Sequence, residues 1–191
     1  MIKVLVLFSI AYGLSQEANV PAWSTDIANE LIRMASADGG AFDQMQLQEL
    51  VYIAHGWCLA MTGEPLTGDR PEALEHGPEY RRLADALATS GVEPVISEIK
   101  PRPEKSITSK TDATRDPSTL LSTEHEILAR VYTEYGSFHL SQLAALTRAE
   151  GTPWDRIFAD GAGKGRDVPH KLIRDQFVQL AANTGRPASP T

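Results

Sequence analysis

Ile27, Leu31, Met34 and Ala35 mark one face of a first helix, opened by Ser24-Thr25-Asp26 and stopped by Asp38-Gly39-Gly40. A second helix is marked more fully. Asp43 caps it, Gln46 stands as the reciprocal partner, and Leu47, Leu50, Val51, Ala54, Cys58 and Met61 recur at the helical period. Gly63 then occupies the left-handed position past its end. The connection from Gly63 to Gly77 is broken by Pro65, Gly68 and Pro71. Pro78 is placed to open a third helix at its first turn, with Tyr80, Leu83, Ala84 and Leu87 inside and Gly91 beyond.

Val92 to Pro117 changes character. Val95, Ile96, Ile99 and Ile107 alternate loosely with polar residues, and Pro101, Pro103, Lys105 and Lys110 crowd between them, which reads as an exposed β-hairpin or loop. Thr123 with Glu126 then forms a capping box for a helix that buries Ile127, Leu128, Val131 and Tyr135 and ends at Gly136. A short helix follows around Leu140, Leu143, Ala144 and Leu146. After Pro153-Trp154 comes a glycine-rich turn, Gly161 to Gly165, and a last helix from near Pro169 buries Leu172, Ile173, Phe177 and Leu180. The pattern predicts a mainly α, single-domain bundle of about six helices with a small β-hairpin insertion. It divides the chain into an apolar N-terminal segment (1–21), the helical domain (22–183) and a flexible tail (184–191).

Composition narrows the function without naming it. The 191 residues are 42% hydrophobic and 23% charged, which is globular. A net charge of −7 with no long Lys/Arg run excludes the electrostatic footprint of a general nucleic-acid binder. One cysteine excludes an intrachain disulfide framework and paired CxxC zinc ribbons. Val4 to Leu14 is apolar, follows Lys3 and precedes small residues, as a secretory leader does. It falls short of the roughly 20 apolar residues a membrane-spanning helix needs. A buried strand, or a start assigned too far upstream, accounts for it equally.

Few residues suggest catalysis. His55 and Cys58 share a helix face and offer a nucleophile pair or half a metal site, but Cys58 lies on the apolar stripe, where a thiol is inert. His76, His125, His139 and His170 form no recognised ligand spacing, so no metal or cofactor is expected. Gly161-Ala162-Gly163-Lys164-Gly165 lacks the Ser or Thr after Lys164 that a phosphate loop requires and reads as a turn. Trp23, Trp57 and Trp154 sit at helix ends, where tryptophan serves as a core edge or an interface anchor.

One stretch is more specific than any helix pattern: Leu47-Gln48-Glu49-Leu50-Val51-Tyr52-Ile53-Ala54-His55-Gly56-Trp57, then Gly63-Glu64-Pro65-Leu66, Glu72-Ala73 and His76-Gly77-Pro78. Tyr135-Gly136, Leu146-Thr147, Gly151-Thr152-Pro153-Trp154 and Val168-Pro169 follow in order. From Trp23 to Leu180 the chain resembles the Panacea domain family, whose members include SocA-like antitoxins and phage-associated proteins. It departs from that pattern at Glu49 (usually Lys), Leu74 (usually aromatic), Glu79-Tyr80-Arg81 (usually apolar) and Arg148 (usually His).

The resemblance implies an antitoxin-like, non-enzymatic protein that neutralises a cognate toxin, encoded next to it, by direct contact. The alternatives are a phage-associated or exported accessory protein with a non-toxin partner, or a hydrolase using His55 and Cys58. It implies partner-binding candidates at Tyr52, His55, Trp57, Glu72, His76, Gly77, Pro78, Pro153 and Trp154, and a cytoplasmic location. The segment Val92 to Pro117 is a further place where a toxin could be gripped, since strand edges recruit partner strands.

Overall fold

The computed structural model describes residues 21–88, 94–99 and 120–184. Among these the chain forms seven helices and one small antiparallel hairpin: α1 (Ser24–Ala37), α2 (Gln44–Thr62), β1 (Glu72–Leu74), β2 (Gly77–Glu79), α3 (Arg81–Leu87), α4 (Ser122–Tyr135), α5 (Leu140–Thr147), α6 (Pro153–Phe158) and α7 (His170–Thr184). The mainly α class with one small hairpin is as expected, although this hairpin lies at 72–79, where none was expected. No helix among the described residues is long and apolar enough to cross a membrane. The N-terminal apolar segment up to Val20 and the tail from Gly185 lie outside the described residues.

α2 is the axis. It buries residues on every side, from Leu47 to Leu59, because α1, α3, α4, α5 and α7 all pack around it. Its ends follow the local signals: Asp43 Oδ1 accepts the Gln46 N–H at 2.7 Å, Gln46 Oε1 accepts the Asp43 N–H at 3.0 Å, and Gly63 takes φ +82°. α7 lies directly against α2. A Cβ on Gly56 would meet the Phe177 ring at 2.2 Å, so only glycine lets the two helices approach this closely.

Elsewhere tertiary partners displace the local signals. Ser24 does not cap α1 but is its first residue, with its N–H and hydroxyl both given to Asp69. Asp69 also accepts from Arg82 Nε, whose guanidinium lies 3.8 Å over Trp23. α4 begins two residues before the expected box: Glu124, rather than Glu126, accepts the N–H of the residue at its start, Leu121. α6 was not expected as a helix, although Thr152 accepts the Asp155 N–H and Pro153 stands at its first position.

The hairpin corrects the third-helix expectation. Pro78 does not open a helix; it pairs with Ala73 inside β2, and α3 starts at Arg81. On the other side of β1, Ala73 bonds Arg166 and Gly165 through the main chain, so a return segment closes that edge. The expected hairpin within Val92 to Pro117 lies outside the described residues except for 94–99, which run extended along α1.

Between α6 and α7 the backbone makes a left-handed turn, with φ of +45° at Ala159, +54° at Asp160 and +95° at Gly161. A non-glycine residue in that region costs about 1–2 kcal/mol. Ala159→Gly is therefore expected to raise stability by about 0.5–1 kcal/mol after the entropy that glycine adds to the unfolded chain. Urea unfolding checks this, and a lowered midpoint would count against the strain.

Candidate functional site

The residues of the distinctive α2 stretch converge beneath the hairpin. Gln48, Tyr52 and His55 project from successive turns of α2. The Gln48 carboxamide takes both main-chain groups of Tyr80, donating to its C=O at 3.2 Å and accepting its N–H at 2.9 Å. This pair of hydrogen bonds holds the exit of β2, just before α3 begins at Arg81. Gln48 was not singled out from sequence. Its signal, a polar residue on the buried side of a helix, is one that only a partner far along the chain explains.

Glu49 and Arg148 meet at the same place. Arg148 Nε lies 3.6 Å from Glu49 Oε1, an ion pair longer than a hydrogen bond, and a Cβ on Gly77 would sit 3.0 Å from that oxygen. Gly77, at φ +131°, thus brings the hairpin backbone onto the pair. Both are positions expected from sequence to depart from the pattern of the family that the chain resembles, and here they partner one another. Burial pushes the Glu49 carboxyl up to about 7, and the Thr147 hydroxyl and Arg148 pull only partly against it.

His55 is fully buried, and burial, followed by the adjacent His170, holds it down at about 3. Its Nδ1 accepts the Thr67 N–H at 3.4 Å, so the ring is neutral with its proton on Nε2, and its centroid lies 4.8 Å from that of His170. Cys58 is buried on the core side, its Sγ 3.7 Å from Thr62 Oγ1, and burial pushes its thiol up to about 11. Each of the two is engaged away from the other.

The remaining candidates divide by exposure. Tyr52, Gly77, Pro78 and Pro153 are buried. Trp154 is partly exposed and donates its indole N–H to the Leu74 carbonyl at 2.8 Å, pinning β1 to α6. Trp57, also partly exposed, packs on Phe177 and donates to the Tyr135 hydroxyl at 3.3 Å. Glu72 holds Arg81 through two contacts of 3.1 and 3.0 Å, and His76 stands exposed at the hairpin turn. Thus Glu72, His76, Gly77, Pro78 and Trp154 gather at the hairpin, with Tyr52 and His55 under it. No group of three or more metal-ligating side chains occurs among the described residues.

Fold and site define a helical scaffold that braces a small hairpin from below. Residues 47–155 match the family described as antitoxin SocA-like, Panacea domain, and the chain belongs to that family. It is 31% identical over 156 residues to Antitoxin SocA of Caulobacter vibrioides (strain NA1000 / CB15N), covering 79% of this chain and 80% of that protein. No solved structure matches the chain.

Proposed function

We propose that this chain is a cytoplasmic antitoxin that neutralises a cognate toxin, encoded beside it, by direct contact and without covalent chemistry. The match of residues 47–155 to the SocA-like antitoxins carries the reading. The hairpin is the proposed contact surface. His76 and the Glu72–Arg81 pair present polar and charged groups there, with Trp154 as a partly exposed aromatic anchor. Tyr52, His55, Gly77, Pro78 and Pro153 act beneath as the support that sets the hairpin's position.

The state of His55 and Cys58 supports binding over hydrolysis. A thiol pushed up to about 11 is protonated at neutral pH and a poor nucleophile. An imidazole held at about 3, with Nδ1 already accepting a main-chain N–H, is a weak base.

Expression of the adjacent reading frame alone is expected to arrest growth, and co-expression of this chain to relieve the arrest and co-purify the two proteins. His76→Glu with Arg81→Ala, both exposed at the hairpin, should abolish both relief and complex while the protein stays folded by circular dichroism. Relief without a complex, or no relief from a well-expressed chain, would defeat the proposal.

A further inference from the structure

Seven buried side-chain nitrogen and oxygen atoms have no hydrogen-bond partner among the described residues. Six of them belong to Arg148, Glu49, Tyr52, Tyr80, His55 and His170, which follow one another in a row beneath the hairpin. Arg148 Nε stands 3.6 Å from Glu49 Oε1. Burial, and then the Glu49 charge, raise the Tyr52 phenol, and burial followed by Tyr52 raises that of Tyr80. The His55 ring centroid lies 6.3 Å from that of Tyr80 and 4.8 Å from that of His170.

Atoms of this kind are few in folded proteins, because each costs as much as a lost hydrogen bond. Here they are gathered in one place, and Tyr52, His55 and Tyr80 are 0% exposed. The atoms are near enough to share one environment and too far apart to bond one another directly, a spacing that a bridging molecule fills. Their chemistry narrows what it is. His55 Nε2 carries the ring proton and donates, since Nδ1 accepts the Thr67 N–H, while each phenol hydroxyl both donates and accepts. An anion would face the Glu49 carboxylate and a cation the Arg148 guanidinium, so a small neutral molecule that donates and accepts suits the whole row. Both ends approach solvent: the Arg148 side chain is 26% exposed, and His170 is partly exposed.

We propose that this row is an internal binding site for ordered water molecules, which bridge the Tyr52 and Tyr80 hydroxyls and His55 Nε2 and seat the exit of β2 on α2. At about three hydrogen bonds for each buried water, six atoms call for about two waters. Gln48 holds Tyr80 by its main chain, and the waters hold it by its side chain. The site stands independently of what the hairpin contacts.

Magnetic relaxation dispersion of water oxygen counts long-lived internal waters in solution and tests this on the full chain. Tyr52→Phe with Tyr80→Phe keeps both rings and removes both hydroxyls, so the dispersion amplitude is expected to fall by about one water or more. Tyr132→Phe, which removes a hydroxyl that donates to Asp38 at 2.7 Å on the surface, should leave the amplitude unchanged. Urea unfolding adds a test of sign. A hydroxyl bonded to water is lost at a cost, so each single substitution should lower the midpoint, whereas removing a hydroxyl buried without any partner would raise it. Tyr80→Phe alone, read in both ways, serves if the double variant unfolds. An unchanged amplitude in a folded variant, or a raised midpoint, would overturn the proposal. So would an organic molecule that native mass spectrometry finds on the unsubstituted chain and not on the double variant.

Discussion

Gly56→Ala is expected to cost about 2–3 kcal/mol, because it overpacks the closest approach of two core helices. The new methyl would lie 2.2 Å from the Phe177 ring, which is itself buried between Trp57 and Tyr52, with centroids at 5.3 and 6.4 Å. With Trp57 and Tyr52 flanking the ring, relief of the contact is expected to come from a shift of α7 away from α2. Alanine's better helix propensity returns about 1 kcal/mol of this at most. Shortening the obstacle should restore part of the loss: Gly56→Ala with Phe177→Leu should be more stable than the two separate losses predict. Equilibrium unfolding in urea measures all three variants, and strict additivity would mean that Gly56 and Phe177 do not define this contact.

The second large effect is a stability profile with opposing arms. Glu49 sits at about 7 in the folded protein against 4.5 for an ordinary glutamate, so between those values the folded state holds more protons than the unfolded state. Stability then falls as pH rises, by about 3 kcal/mol in all. His55 runs the other way. It sits at about 3 against 6.5, so the folded state holds fewer protons, and stability rises with pH across that interval and is full above 6.5.

The two slopes cancel between about pH 4.5 and 6.5, leaving a plateau with a climb below it and a decline above it. His170, held down by burial and by Arg70, adds a rise that is complete at about pH 6.5 and so tilts the upper part of the plateau upward. Glu49→Gln should remove the decline and extend the climb to about pH 6.5, where the histidines have become neutral. Tyr52, Thr147 and Arg148, which face the carboxylate, stay in place. Urea midpoints from pH 4 to 8 decide it, and parallel curves for the two proteins would show that Glu49 does not titrate abnormally.

What could be read in advance depended on where the controlling interaction lay. α2 was legible to the residue because Asp43, Gln46 and Gly63 act within a turn of one another. Ser24 and Pro78 carried equally plausible local signals and were misleading. Asp69 claims the hydroxyl of the first, and Ala73 pairs with the second. α6 was missed although Thr152 and Pro153 announce it, since a six-residue helix shows too little periodicity to stand out.

The candidate site shows the same division. The stretch Leu47 to Trp57 could be recognised as a pattern, but not the reason for it. Gln48 serves the backbone of Tyr80, and Glu49 answers Arg148. Both relations join segments remote in sequence, where no periodicity reports them. The contact between α1 and residues 94–99 was equally invisible, since Asn29 reads as an ordinary solvent-facing residue until Ile99 is brought beside it.

The placement of α7 has a consequence for synthesis. It follows every other described element in the chain, yet it covers the central helix. A ribosome must therefore release Phe177 before Tyr52 and Gly56 can leave water, and the nascent chain carries an unclosed apolar seam until that moment. A chain cut short upstream of α7 is expected to leave that seam open, so the fold closes only when the last helix is in place.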